Sequence, residues 1–196
     1  MEMCSGGSLL SHIADGRVDE DRARTLIKMT LWAISACHRN GIVHHDVKLD
    51  NFCFAEMAPD SELKLVDFGF ACYLERDFSK KPIGTLSYMA PEIFGGGDVG
   101  FELDMWALGV CVYTMLSLRR PFEGTTRAEV IRAIREEEPR YDLLPWDRLS
   151  PTAADFTRRL LAKDPRERLS ASAAMRHPWL HQPSSTPPSS TSDATA

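Results

Sequence analysis

Between residues 20 and 40, Ala23, Leu26, Ile27, Thr30, Leu31, Ile34 and Cys37 fall at steps of three and four. That period predicts an amphipathic helix, and Gly41 suits its C-terminal end. The pattern then changes. "GIVHH" (41–45) is a short β-branched burst, while "NFCF" (51–54) and "ELKLVDF" (62–68) predict two short strands joined by the turn-forming "APDS". Residues 69–89 show no period and many small polar or charged side chains, which predicts a long functional loop. From Glu102 to Leu116 the chain is apolar on nearly every face, the mark of a helix buried in the middle of a domain. "TTRAEVIRAIREEE" (125–138) predicts a helix with a Thr start, closed by Pro139. "SPTAADFTRRLLA" (150–162) offers Ser as N-cap and Pro at the first helical position. "SASAAMRHPWL" adds one short helix, and the tail "PSSTPPSSTSDATA" has too little to bury to stay ordered. The sum is an α+β domain, mostly helical with a few short β-strands.

Composition narrows the function. The 196 residues suffice for one core. A net charge of −5 argues against a nucleic-acid partner. Five cysteines, at 4, 37, 53, 72 and 111, form an odd set without CxxC, which fits a reducing, cytoplasmic setting better than disulfides or zinc. The longest apolar run, 105–118, is too short to span a bilayer, and no signal-peptide pattern is visible, so no membrane role is expected. His177 and His181 stand four apart in "HPWLH" with no third ligand nearby, as befits a helix end rather than a metal site.

The chemistry concentrates in "HHDVKLDN" (44–51). Asp46 and Asn51 share this loop, and Asp67 opens "DFG" soon after. Carboxylate and amide oxygens together suit a hard cation such as magnesium. A lysine beside a carboxylate, here Lys48 and Asp46, suits a phosphate and a hydroxyl to be deprotonated. Taken singly, an Asp-x-Lys is an ordinary surface ion pair and a DFG an ordinary turn. Their order and spacing change that balance.

"HHDVKLDN" resembles the catalytic loop of the eukaryotic protein kinases, and "DFG" (67–69) and "APE" (90–92) follow in that family's order. "GTLSYMAPE" (84–92) is similar to the segment that seats a substrate peptide, "DMWALGV" (104–110) to the central buried helix, and "DPRERLSASAAMRHPWL" (164–180) to the closing helices. The resemblance covers about residues 1–181, leaving 182–196 as the tail. It implies a protein serine/threonine kinase that uses ATP and Mg2+ on a protein substrate, with Asp46 as the base that accepts the substrate hydroxyl's proton and Lys48 steadying the transferring phosphoryl group. Asn51 and Asp67 would hold magnesium, Thr85 would belong to the substrate loop, and Glu92 and Arg168 would form a buried ion pair. Asp104 would hold the catalytic loop's backbone, and His44 would stack with Phe68. Glu2 and Cys4 would offer hinge hydrogen bonds to the adenine, with Cys53 beneath it. The style of "NFCF", "GTLSYMAPEIF" and "RHPWL" resembles the calcium- and calmodulin-regulated branch, though no EF-hand loop is present. Asp50 lies where related enzymes contact a basic substrate residue, while Ser8 stands where many carry a second acid.

Two departures qualify the resemblance. The family's Arg before the catalytic Asp is His45, which predicts activation without loop phosphorylation; Ser79→Ala tests this, since loss of most activity would contradict it. No glycine-rich loop or strand lysine precedes "HHDVKLDN", so the chain is expected to be the C-terminal lobe only, with the N-terminal lobe absent. The missing lobe would come from the same gene or from another chain. Met1 at the position guarding the adenine pocket suggests a start inside a longer gene or a cut fragment. The chain alone is then expected to bind ATP very weakly and to be inactive. A pseudokinase-like scaffold or interaction module is the competing reading.

Overall fold

A computed structural model describes residues 4–14, 18–58, 60–74, 83–96 and 100–183. The expectations for Glu2, for Ser79 and for the tail beyond Pro183 lie outside the described residues. Seven α-helices occur among the described residues: α1 (Leu9–Ala14), α2 (Glu20–Arg39), α3 (Glu92–Gly95), α4 (Glu102–Ser117), α5 (Arg127–Glu136), α6 (Pro151–Leu160) and α7 (Ala171–Met175). Four short strands, β1 (Ile42–Val43), β2 (Phe52–Phe54), β3 (Leu63–Leu65) and β4 (Cys72–Tyr73), make two antiparallel pairs, β1 with β4 and β2 with β3.

The long helix α2 begins where Asp19 accepts a hydrogen bond from the Arg22 N–H at 2.7 Å and ends at Asn40, before a left-handed Gly41. Ala23, Leu26, Ile27, Leu31 and Ile34 are buried, which is the stripe its period predicts. Glu20, in its first turn, ties three elements together. Its carboxylate accepts from the Ser150 N–H (2.8 Å) and hydroxyl (2.5 Å) ahead of α6, and from the Trp179 indole N–H at 2.8 Å. Burial by itself would raise the Glu20 carboxyl; the Ser150 and Trp179 hydrogen bonds and the Arg24 charge outweigh it and hold the group below its ordinary value.

Helix α4 is the centre of the core, with Trp106, Leu108, Val110, Cys111 and Val112 fully buried. Each such large side chain contributes roughly 1.5–3 kcal/mol by leaving water. Gly109 faces α6 and the residue after it: a Cβ there would stand 2.9 Å from Leu160 Cβ and 2.8 Å from Leu161 Cδ2, so only glycine allows this close approach. Helix α5 opens with a reciprocal capping box between Thr126 and Glu129, and α6 with Ser150 accepting from the Ala153 N–H and Pro151 at the first position.

The strands are shorter than the sequence pattern implies. The expected strand 62–68 is β3 only as far as Leu65; Val66 still donates to the Asn51 carbonyl at 2.9 Å, after which Asp67 turns left-handed at φ 61°. The expected loop 69–89 contains β4, whose Cys72 and Tyr73 pair with Val43 and Ile42. Two residues are too few for an alternating pattern to register. The cross-strand pairing of "GIVHH" therefore comes from its tertiary partner.

Candidate active site

The stretch 44–51 leaves β1 and is fixed from below by α4. Asp104, 1% exposed, accepts three hydrogen bonds: at Oδ2 from the His44 N–H (2.9 Å) and the His38 Nε2–H (2.9 Å), and at Oδ1 from the His45 N–H (3.0 Å). This clamp holds His45 in a left-handed conformation, φ 67°, a shape a β-carbon makes unfavourable without such support. The His44 ring is buried, with Nε2 against the Val66 carbonyl at 3.1 Å and Nδ1 accepting from the Asp46 N–H at 3.3 Å. Phe68 packs edge-on against it at a centroid distance of 4.9 Å.

Asp46 follows, 3% exposed, at the centre of a polar cluster. Lys48 Nζ donates to its Oδ2 at 2.5 Å, and Thr85 donates to its Oδ1 through both the backbone N–H (3.0 Å) and the hydroxyl (2.8 Å). Lys48 also reaches the Thr85 hydroxyl at 3.2 Å. Asn51 Nδ2 donates to the Asp46 carbonyl at 2.8 Å and to Oδ2 at 3.2 Å. Burial would raise the Asp46 carboxyl, but the hydrogen bonds from Lys48 and Thr85 and the Lys48 charge prevail and hold it below the ordinary value. Asp46 is therefore a carboxylate at neutral pH.

Thr85 arrives through Gly84, which sits at φ 101° with its α-carbon close to the 44–51 stretch: a Cβ would lie 2.5 Å from the His45 carbonyl oxygen and 3.3 Å from Asp46 Oδ1. Glycine alone satisfies both the torsion and the space. The sequence pattern marks Thr85 by motif; its two bonds to Asp46 required the fold.

Asn51 and Asp67 are brought together by β2 and β3, through the Val66 N–H bond to the Asn51 carbonyl. Asn51 is buried and its Nδ2 is engaged by Asp46, leaving Oδ1 as the oxygen available to a cation. Asp67 is exposed, and its Oδ1 accepts from the Gly69 N–H at 3.2 Å. Two hard oxygen donors fit magnesium, which keeps part of its shell as water and phosphate oxygen. Among the described residues no group of three or more His, Cys, Asp or Glu side chains is placed to hold a metal without such a ligand.

The remaining sequence-predicted positions lie around this centre. Residues 5–8 run beside β2, with Ser5 and Gly6 donating to the Ala55 and Phe54 carbonyls at 3.0 Å and Ser8 bridged to Cys53. Cys4 ends this strip and Cys53 faces it from β2, both half-buried. Burial raises the Cys53 thiol, with Cys4 and Asp50 adding to the effect. At the far end, Arg168 and Glu92 form a two-pronged pair at 2.6 and 3.0 Å, with side chains 0% and 6% exposed. Arg168 also donates to the Glu102 and Ala162 carbonyls, and its guanidinium lies 5.0 Å over Trp106. A pairing the motif reading did not find is His45 with Cys72, Nε2 to Sγ at 3.3 Å. Its only signal in the sequence is the register of two-residue strands, which periodicity does not carry.

The sequence matches known proteins along nearly its whole length. The family model for the protein kinase domain matches residues 1–180. The chain belongs to the protein kinase family. CDPK-related kinase 1 of Arabidopsis thaliana is 42% identical over 183 residues, 92% of this chain and 32% of that protein. Calcium/calmodulin-dependent serine/threonine-protein kinase 1 of Oryza sativa subsp. japonica is 39% identical over 92% of this chain and 30% of its own length. CDPK-related protein kinase of Daucus carota is 38% identical over the same share. This kinase chain is thus related to the calcium-regulated branch of serine/threonine kinases, and it spans about a third of the length of these relatives. Among the described residues, no helix of this kinase segment is long and apolar enough to cross a membrane.

Proposed function

We propose that this segment carries the catalytic loop of a serine/threonine protein kinase and directs phosphoryl transfer from ATP to a protein hydroxyl. The carrying observation is a hydroxyl, that of Thr85, held between the Asp46 carboxylate at 2.8 Å and the Lys48 ammonium at 3.2 Å. A substrate hydroxyl placed in the same way would donate its proton to Asp46 as its oxygen bonds to phosphorus. Lys48 would place its charge beside the phosphoryl oxygens, where negative charge must be met in the transition state. Thr85, by occupying one Asp46 oxygen, fixes the carboxylate's rotation. Asn51 and Asp67 are the residues that would hold magnesium, which when bound supplies charge that neutralises the phosphates.

We further propose that this segment works as one lobe of a two-lobed catalytic unit. Phe68 and Phe70, each 48% exposed beside Asp67, and Met57 at 84% support an apolar surface meant for another segment. No glycine-rich loop stands ahead of Asp46 in the 196 residues, so by themselves they lack the family's clamp for the ATP phosphates. The test compares Asp46→Asn with wild type in the complete gene product on a Ser/Thr peptide. Removing a general base and its positioning role is expected to lower kcat by about 10²–10⁴-fold with little change in the KM for ATP. Unchanged kcat would refute the assignment of Asp46, whereas no phosphorylation by the wild type would put the scaffold reading in its place.

A further inference from the structure

Beside Asp46, two reactive side chains stand in direct contact: the thiol of Cys72 on β4 and the imidazole of His45, Sγ to Nε2 3.3 Å. We propose that Cys72 and His45 form an oxidant-sensing thiol–imidazole pair whose reaction partner is a hydroperoxide, and that oxidation there disturbs the catalytic loop.

The chemistry needs a thiol within reach of solvent and a base in contact with it. Cys72 is half-buried, not sealed like Cys111. Burial, partly opposed by the Asp104 carboxylate, pushes the His45 imidazole down, so near neutral pH the ring is uncharged and, in its Nδ1–H tautomer, takes the thiol proton at Nε2. In the reaction the S–H proton passes to Nε2 as sulfur attacks one peroxide oxygen. The O–O bond breaks, and the departing oxygen takes the proton back from the imidazolium. A thiol and hydrogen peroxide become a sulfenic acid and water; sulfur is oxidised and the peroxide oxygen reduced. Two other half-buried thiols, Cys53 and Cys37, are set differently. Cys53 donates to the Asp50 carbonyl at 3.6 Å, which takes no proton, and burial next to Asp104 raises the Cys37 thiol away from its reactive form.

The link to Asp46 is steric. A gap of 3.3 Å between Sγ and Nε2 has no room for an oxygen added on that line, and one added there would displace the imidazole. His45 is left-handed, held by the Asp104 carboxylate through its N–H, and its carbonyl is pressed by Gly84. A void of about 20 Å3, lined by His45, Ile83, Thr85 and Asp104 among others, is the space next to it. Asp46 is the next residue, so movement of His45 reaches the carboxylate directly. This consequence rests on the kinase reading; the thiol chemistry does not.

The test therefore has two parts. The 196-residue chain is treated with hydrogen peroxide and a sulfenic-acid trap, and the labelling of each cysteine is followed by mass spectrometry. Cys72 is expected to react about tenfold faster than Cys37 or Cys53, and His45→Asn to remove that advantage without changing the other two. Equal rates at Cys72 and Cys37 in the wild type overturn the proposal, as does an undiminished Cys72 rate in H45N. Buried Cys111 reports folding: if it reacts in H45N, the wild-type comparison alone decides. In the complete kinase, peroxide should lower activity, a thiol reductant should restore it, and Cys72→Ser should resist. Fast Cys72 labelling with peroxide-insensitive activity would overturn the link to the catalytic loop while leaving the thiol pair standing.

Discussion

Asp104→Asn removes one oxygen from the carboxylate that fixes the start of the 44–51 stretch. The native side chain is 1% exposed and accepts from two main-chain N–H groups, of His44 and His45, and from the His38 ring. Asparagine offers one acceptor oxygen and one donor nitrogen. If the nitrogen takes the Oδ2 place, the His44 N–H meets a donor; if it takes the Oδ1 place, the His45 N–H does. Either way a buried backbone N–H loses its partner, which costs about 1–3 kcal/mol. The surviving bonds also fall from charge-assisted to neutral strength, about 1 kcal/mol more. Relief from desolvating a charge offsets part of this, so the net destabilisation expected is roughly 1–3 kcal/mol. Urea denaturation of wild type and D104N in the 196-residue chain measures it, read at constant m. Amide exchange separates local from global loss: the His44 and His45 amides should lose protection by more than the Leu108 amide of α4. A loss below about 0.5 kcal/mol, or unchanged protection at His44 and His45, would refute the clamp, because the bonds would then contribute little over solvent.

Glu92→Ala leaves the Arg168 guanidinium buried without its carboxylate, and about 3–5 kcal/mol of stability should be lost by denaturant titration, far more than for the exposed pair Arg166–Asp164. Gly84→Ala puts a methyl carbon 2.5 Å from the His45 carbonyl at φ 101°; strain of about 1–3 kcal/mol should pull Thr85 from Asp46, seen as lowered kcat in the complete kinase with the KM for ATP retained. Lys163, between the Phe122 and Trp106 rings and bonded to the Ile134 carbonyl, has its pKa lowered by burial to about 8. Between about pH 8 and 10.5 the unfolded chain then binds more protons than the folded one, so stability should rise with pH across that window. Urea midpoints for wild type against Lys163→Met should show the rise in wild type and its absence in the variant.

Much of the local structure was legible in the chain. The period of α2, the unbroken apolarity of α4, the Thr126 and Ser150 caps and the Pro151 start are all short-range signals, since each acts within a turn or two of helix. The family was legible too, because Asp46, Lys48 and Asn51 sit within six residues and keep a fixed order with Asp67. What the sequence could not set is which atoms meet. Thr85 stands 39 positions from Asp46 and Asp104 stands 59 from His45, and both contacts arise only when α4 and the segment from Gly84 close on the loop. The β1–β4 pairing and with it the His45–Cys72 contact have the same origin: strands of two residues carry no period, and their register is decided by the packing around them. Local pattern determined the elements and the reactive residue types, whereas the long-range bonds that orient Asp46 came from tertiary packing, because a hydrogen bond between distant positions leaves no periodic trace in either partner's sequence.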